Sequence, residues 1–121
     1  MAQATGKSFE SPDETRPFEG KGRLDIVEIA GRKVGRAVFE PGWKWSNNVK
    51  PIAQTESCQV HHVHYCESGR MTVHMDDGTD IEVEPGSVYE IPPGHDAEVV
   101  GDEACVMLHM VEEAGYAKTP E

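Results

Sequence analysis

The chain has 121 residues, of which 22 are acidic and 11 basic, giving a formal net charge of −11. That length suits one compact domain with a real core and is too short for two. An acidic surplus of this size serves solubility and repels a phosphate backbone or an anionic bilayer, so neither nucleic acid nor a membrane surface is expected as a partner.

No apolar stretch approaches the roughly 18 residues of a membrane span, and the opening MAQATGKSFE lacks the basic start and apolar centre of an export signal. A cytoplasmic location is expected. Cys58, Cys66 and Cys105 form an odd set at wide spacings, unlike a disulfide framework or a paired-cysteine zinc knuckle, and are read as reduced thiols.

Residues 1–21 are polar, carry two prolines and show no period of 2 or 3.6. They are expected to form an extended arm, disordered or laid against a neighbour. From Leu24 onward the chain is cut repeatedly by turn signals: Ala30-Gly31, Pro41-Gly42, Ser68-Gly69, Asp77-Gly78, Pro85-Gly86, Pro93-Gly94 and Gly101-Asp102. Between them lie short runs rich in Val, Ile, Thr and Tyr, among them LDIVEIA, KVGRAVFE, RMTVHM, TDIEVE and SVYEI. This punctuation predicts an all-β sandwich or barrel, taken as a single domain over residues 22–111 with a tail at 112–121. VEEAGYAK, near the end, could form one weak helical turn.

The run VHHVHYCESGRMTVHMDDG, residues 60–78, concentrates His61, His62, His64 and His74 with Cys66. Alternate residues of a strand face opposite sides, so His62, His64 and Cys66 share one face while His61, Val63 and Tyr65 share the other. A two-residue turn at Ser68-Gly69 would pair Glu67 with Arg70, Cys66 with Met71, His64 with Val73 and His62 with Met75. The apolar trio Met71, Val73 and Met75 then marks the buried face, which points His62 and His64 inward and His61 and His74 outward. A three-residue turn would invert the assignment. Inward imidazoles need partners, and two at i and i+2 favour a metal-ligand cluster over hydrogen-bonded core residues.

These residues resemble a family, the cupins, and in particular the small single-domain cupins of bacteria. The family's first motif has two histidines one residue apart, then a glutamate, then a glycine. Anchored on Gly69, it puts its glutamate at His62 and its histidines at Glu56 and Cys58. The second motif matches at Gly86, Pro92 and Gly94, and its terminal histidine falls on Ala97. The scaffold residues are present and every ligand position has changed identity. The resemblance implies an antiparallel jelly-roll β-barrel, commonly a homodimer, with one divalent metal inside its mouth.

Carried onto this chain, His62, Glu56 and Cys58 remain competent donors and Ala97 does not. His95, two residues before Ala97, could replace it if strand alternation already holds there. His109, in the strand ACVMLHMV, is a further candidate whose direction the pattern leaves open, because both faces of that strand are apolar. The expected centre is therefore one Fe, Mn, Ni or Zn ion held by His62, His64 and His95, with Glu56, Cys58 or His109 completing the set.

Such a centre would suit a metal-dependent oxygenase, isomerase or lyase acting on a small polar organic substrate. Glu56 would be a general base if it does not bind metal, and Tyr89 or Tyr65 an oxyanion donor. The alternative is a non-catalytic barrel that binds or senses a small molecule against Trp43 and Trp45, with or without metal. A third possibility is a stable dimeric scaffold in which the ligand positions are relics.

Overall fold

The computed structural model describes residues 3–110, with side chains through His109. The residues assigned to a C-terminal tail, and the VEEAGYAK turn, lie outside the described part. Nine strands follow in chain order: β1 (Glu14–Pro17), β2 (Gly22–Ile29), β3 (Arg32–Phe39), β4 (His62–Ser68), β5 (Arg70–Met75), β6 (Asp80–Val83), β7 (Val88–Ile91), β8 (His95–Val100) and β9 (Cys105–Met110). Two single-turn helices, α1 (Trp45–Asn48) and α2 (Lys50–Ala53), sit between β3 and β4. Among the described residues no helix is long and apolar enough to cross a membrane.

The strands form two antiparallel sheets, one ordered β1-β2-β3-β9-β4-β7 and the other β6-β5-β8. From β4 onward the chain passes back and forth between them, the signature of an antiparallel jelly-roll barrel. The core lies between the sheets and includes Leu24, Ile26, Phe39, Trp43, Trp45, Met71, Val73, Val83 and Met107.

Some turn signals make hairpins and others make corners. Ala30 and Gly31 have φ of 51° and 73°, the left-handed pair of a two-residue loop, and join β2 to β3 with Ile29 opposite Arg32. Asp77-Gly78 lies in a longer loop that closes β5 on β6, with Gly78 alone left-handed at φ of 95° and His74 opposite Asp80.

Ser68-Gly69 does not. β4 pairs with β7 and β9, whereas β5 pairs with β6 and β8, so Gly69 is a corner between sheets and the expected pairing of His64 with Val73 is replaced by His64 opposite His109 and Tyr89. The inward and outward assignment survives, because alternation decides which face meets the core whichever sheet a strand joins. Along β4 burial alternates from His62 through Cys66, and Met71 and Val73 are buried opposite them.

The sheet also starts earlier than expected. Part of the stretch read as an arm forms β1, which pairs with β2 from Glu14↔Ile26 to Pro17↔Arg23. Phe18 is buried and stacks on Phe39 with ring centroids 5.4 Å apart. The lack of period there reflects a strand of only four residues, too short to show alternation.

Candidate metal centre

Three strands and one bridging residue bring the donors together. His62 and His64 project inward from β4, and His109 projects inward from β9 directly opposite His64. His95 opens β8 in the other sheet. Cys58 is held beside it by a backbone bridge in which the Cys58 amide donates to the His95 carbonyl at 2.7 Å.

The result is a buried cluster spanning both sheets. Donor atoms of Cys58, His62 and His95 lie within 4.8 Å of one another, and so do those of His62, His64 and His109. His62 belongs to both sets. Its ring centroid is 4.7 Å from that of His64 and 5.2 Å from that of His95, and its Nε2 is 3.4 Å from the Cys58 Sγ.

Burial sets the protonation of the cluster. It pushes the pKa values of His62 and His64 well below the usual histidine range, and the neighbouring imidazoles reinforce the shift. Burial also lowers His95, against the opposing pull of the Pro92 carbonyl. These imidazoles are therefore neutral at physiological pH, the form that binds metal. The Cys58 thiol is pushed up to about 12 by burial, so it must lose its proton on coordination.

The hydrogen bonding fits a ligand role. A carbonyl only accepts, so the 2.8 Å contact of His95 Nδ1 with the Pro92 oxygen fixes the proton on Nδ1 and leaves the Nε2 lone pair available. His64 Nδ1 lies 3.3 Å from the Met107 sulfur, and its buried Nε2 has no hydrogen-bond partner among the described residues. Such an atom costs about 1–3 kcal/mol, which coordination would offset. A nitrogen and sulfur donor set of this kind fits a divalent transition ion.

His62, His64, His95, Cys58 and His109 are thus brought together. Glu56 is not: its side chain is 99% exposed and paired with Lys50 at 3.2 Å. The motif alignment puts a ligand histidine at Glu56, but Gln54 takes a left-handed φ of 62° and residues 54–57 are not strand, so no strand directs this side chain toward the cluster. Glu56 is corrected to a surface residue outside the buried donor cluster.

Tyr89 is half-buried against the core, and its hydroxyl accepts the Glu84 amide at 3.0 Å, which closes the β6–β7 corner. That contact ties the hydroxyl to the corner through an oxygen lone pair, and Tyr89 is not among the described residues that line the cavity beside His62, His64 and His95. Tyr65 faces outward, 43% exposed. His61 is on the surface with Glu90 at 2.9 Å, and His74 lies between Asp80 at 2.8 Å and Glu98 at 3.0 Å.

The sequence pattern did not single out Met107. It faces inward two residues before His109, and the pair would have been legible had β9 shown which of its apolar faces was buried.

No protein-family model and no curated protein matches the chain. Solved structures do resemble it. A Cupin 2 conserved barrel domain protein from Salinispora arenicola superposes with a TM-score of 0.58 at 14% identity, covering 91% of this chain and 87% of that one. An uncharacterized protein with a double-stranded beta-helix domain from Klebsiella pneumoniae gives 0.57 at 18% identity, covering 89% and 84%. A protein of unknown function from Acidithiobacillus ferrooxidans gives 0.58 at 20% identity, covering 80% and 86%. The chain is thus a small single domain with the double-stranded β-helix fold of the cupin barrels.

Proposed function

We propose that the inner cluster holds one divalent transition-metal ion and that the barrel uses it on a small polar organic molecule, in oxygenation, isomerisation or lysis. The observation that carries this reading is the pair of buried triads sharing His62. His62 would be the common ligand. His95 and Cys58 would complete the set on one side, or His64 and His109 on the other.

When bound, the ion would supply Lewis acidity, polarising an oxygen of the substrate. The chain's own residues do the rest. Burial keeps the imidazoles neutral, the Pro92 carbonyl orients His95, and the apolar wall of Phe39, Val73 and Ile91 excludes water. The ligand sets contain nitrogen and sulfur and no carboxylate, which favours Zn(II) or Ni(II) over Mn(II) within the expected range; with Zn(II), which has no redox chemistry, isomerisation or lysis would be the reactions open.

The alternative, a barrel that encloses a sizeable ligand without metal, is less well supported. The interior cavity bounded by the histidines and tryptophans measures about 20 Å³, against several hundred for an ordinary ligand pocket, so no organic molecule is enclosed there, and a substrate of the metal reading would have to reach the ion from the cavity's mouth.

The test is metal content. Protein prepared without a histidine tag and reconstituted with Zn(II) is expected to retain about one equivalent by elemental analysis. Less than about a tenth of an equivalent would end the reading. His62→Ala should weaken retention by at least about 100-fold, since losing a direct ligand costs more than losing a residue that only orients one, while His74→Ala should leave it unchanged.

A further inference from the structure

Two buried donors remain outside this account. Trp43 and Trp45 are 2% and 1% exposed, both line the cavity that His62, His64 and His95 also line, and neither indole nitrogen has a hydrogen-bond partner among the described residues. An indole N–H can only donate. The two rings are part of the core, but each buried N–H without an acceptor costs about 1–3 kcal/mol that packing alone does not require.

The segment is firmly placed. The Val99 amide donates to the Trp43 carbonyl at 2.9 Å, Lys44 bridges to Glu98 on β8, and the Ser46 amide donates to Asp96 Oδ1 at 3.0 Å. These contacts fix the backbone on both sides of the two rings. Trp43 is further wedged against Phe39, with centroids 4.5 Å apart.

The cavity wall decides what the donors await. Its remaining residues are apolar or imidazole, and no carboxylate lines it. Once the imidazole lone pairs are committed to a metal, the cavity offers donors and positive charge but no acceptor. A water molecule there would accept the indole protons and leave its own hydrogens unpaired. An anion with few or no protons suits the site on both counts.

We propose that Trp43 and Trp45 form a small-anion site: their indole N–H groups hold a narrow anionic ligand, such as azide, beside the metal position. The inference rests on the metal reading and specifies what that centre binds next to the ion. The volume of about 20 Å³ is room for about one or two water-sized groups, which limits the occupant to a few atoms.

The chain contains only these two tryptophans, so a proton–nitrogen spectrum of the zinc-reconstituted protein shows two indole signals, assigned by Trp43→Phe and Trp45→Phe. Titration with sodium azide is expected to move both signals downfield. Each variant, once its zinc content and melting curve match the parent's, is expected to bind azide about tenfold more weakly by calorimetry, as loss of one hydrogen bond to a charged group implies. If azide binds the zinc protein while both indole signals stay fixed, or if both variants bind it within about twofold of the parent, the anion site is overturned and the metal reading stands. If the parent does not retain zinc, the metal reading falls and the anion site with it.

Discussion

Six histidines share one covalent structure and take two fates, and the face of the strand each occupies decides which. His62 and His64 lose water and lie among other imidazoles, which drives their pKa values down. His74, on the opposite face of β5, accepts the company of two carboxylates. The hydrogen bond to Glu98 and then that to Asp80 raise its pKa. A raised histidine adds stability that is fully present below the unfolded pKa of about 6.5 and is lost as pH rises through the folded value. His74→Ala is therefore expected to lower stability at pH 6 and to make no difference at pH 9. With its side chain 37% exposed the ion pairs are screened, so the difference in urea denaturation should stay below about 1 kcal/mol. A larger effect at pH 9 than at pH 6 would contradict the assignment.

Among the elements, the corner at Gly69 governs the site, because it sends β5 to the opposite sheet and frees the edge of β4 to pair with β9. Only that pairing puts His109 beside His64. Gly69 has φ of 75°, and a Cβ built there would collide with the backbone carbonyl of Ala104 at the entrance to β9. The corner must therefore have no side chain, both for its left-handed backbone and for the close approach of the two chains. Gly69→Ala should cost at least about 2 kcal/mol, from backbone strain and the forced displacement of a main-chain neighbour, measured as a shift in the urea midpoint. The same substitution at Gly31, where nothing lies within 4 Å, carries only the backbone penalty and should cost distinctly less. Equal costs at the two positions would remove close approach as the reason for glycine at the corner.

For the whole molecule, the buried cluster makes stability depend on pH in the opposite sense to His74. His62, His64 and His95 all have lowered pKa values, so below about 6.5 the unfolded chain takes up protons that the folded chain refuses. Stability then falls with pH at up to about 1.4 kcal/mol per pH unit for each such group, outweighing one exposed histidine. Carboxylates stay ionised over most of this interval and contribute little. The metal-free protein should accordingly show a urea midpoint that drops steadily between pH 7.5 and about 5.5, and zinc should raise the midpoint most at the upper end, where protons do not compete for the ligands. A flat profile in the metal-free protein would mean that the imidazoles are solvated.

What the amino-acid order determined by itself was the local geometry. Gly and Pro punctuation located the strands, and alternation along VHHVHYC turned His62 and His64 inward and His61 outward, because successive side chains of any strand face opposite ways whatever lies beside it. The spacing of Gly69, Gly86, Pro92 and Gly94 pointed to the barrel. Tertiary structure decided which strands are neighbours. Ser68-Gly69 has the composition of a hairpin turn and makes a corner instead, the direction of His109 followed from the sheet that β9 joined, and Glu56 left the cluster because the chain had not yet become a strand there. Turn residues specify a reversal in φ and ψ, but which sheet receives the returning strand depends on how the apolar faces of all the strands close over a common core, a property no short stretch of sequence contains.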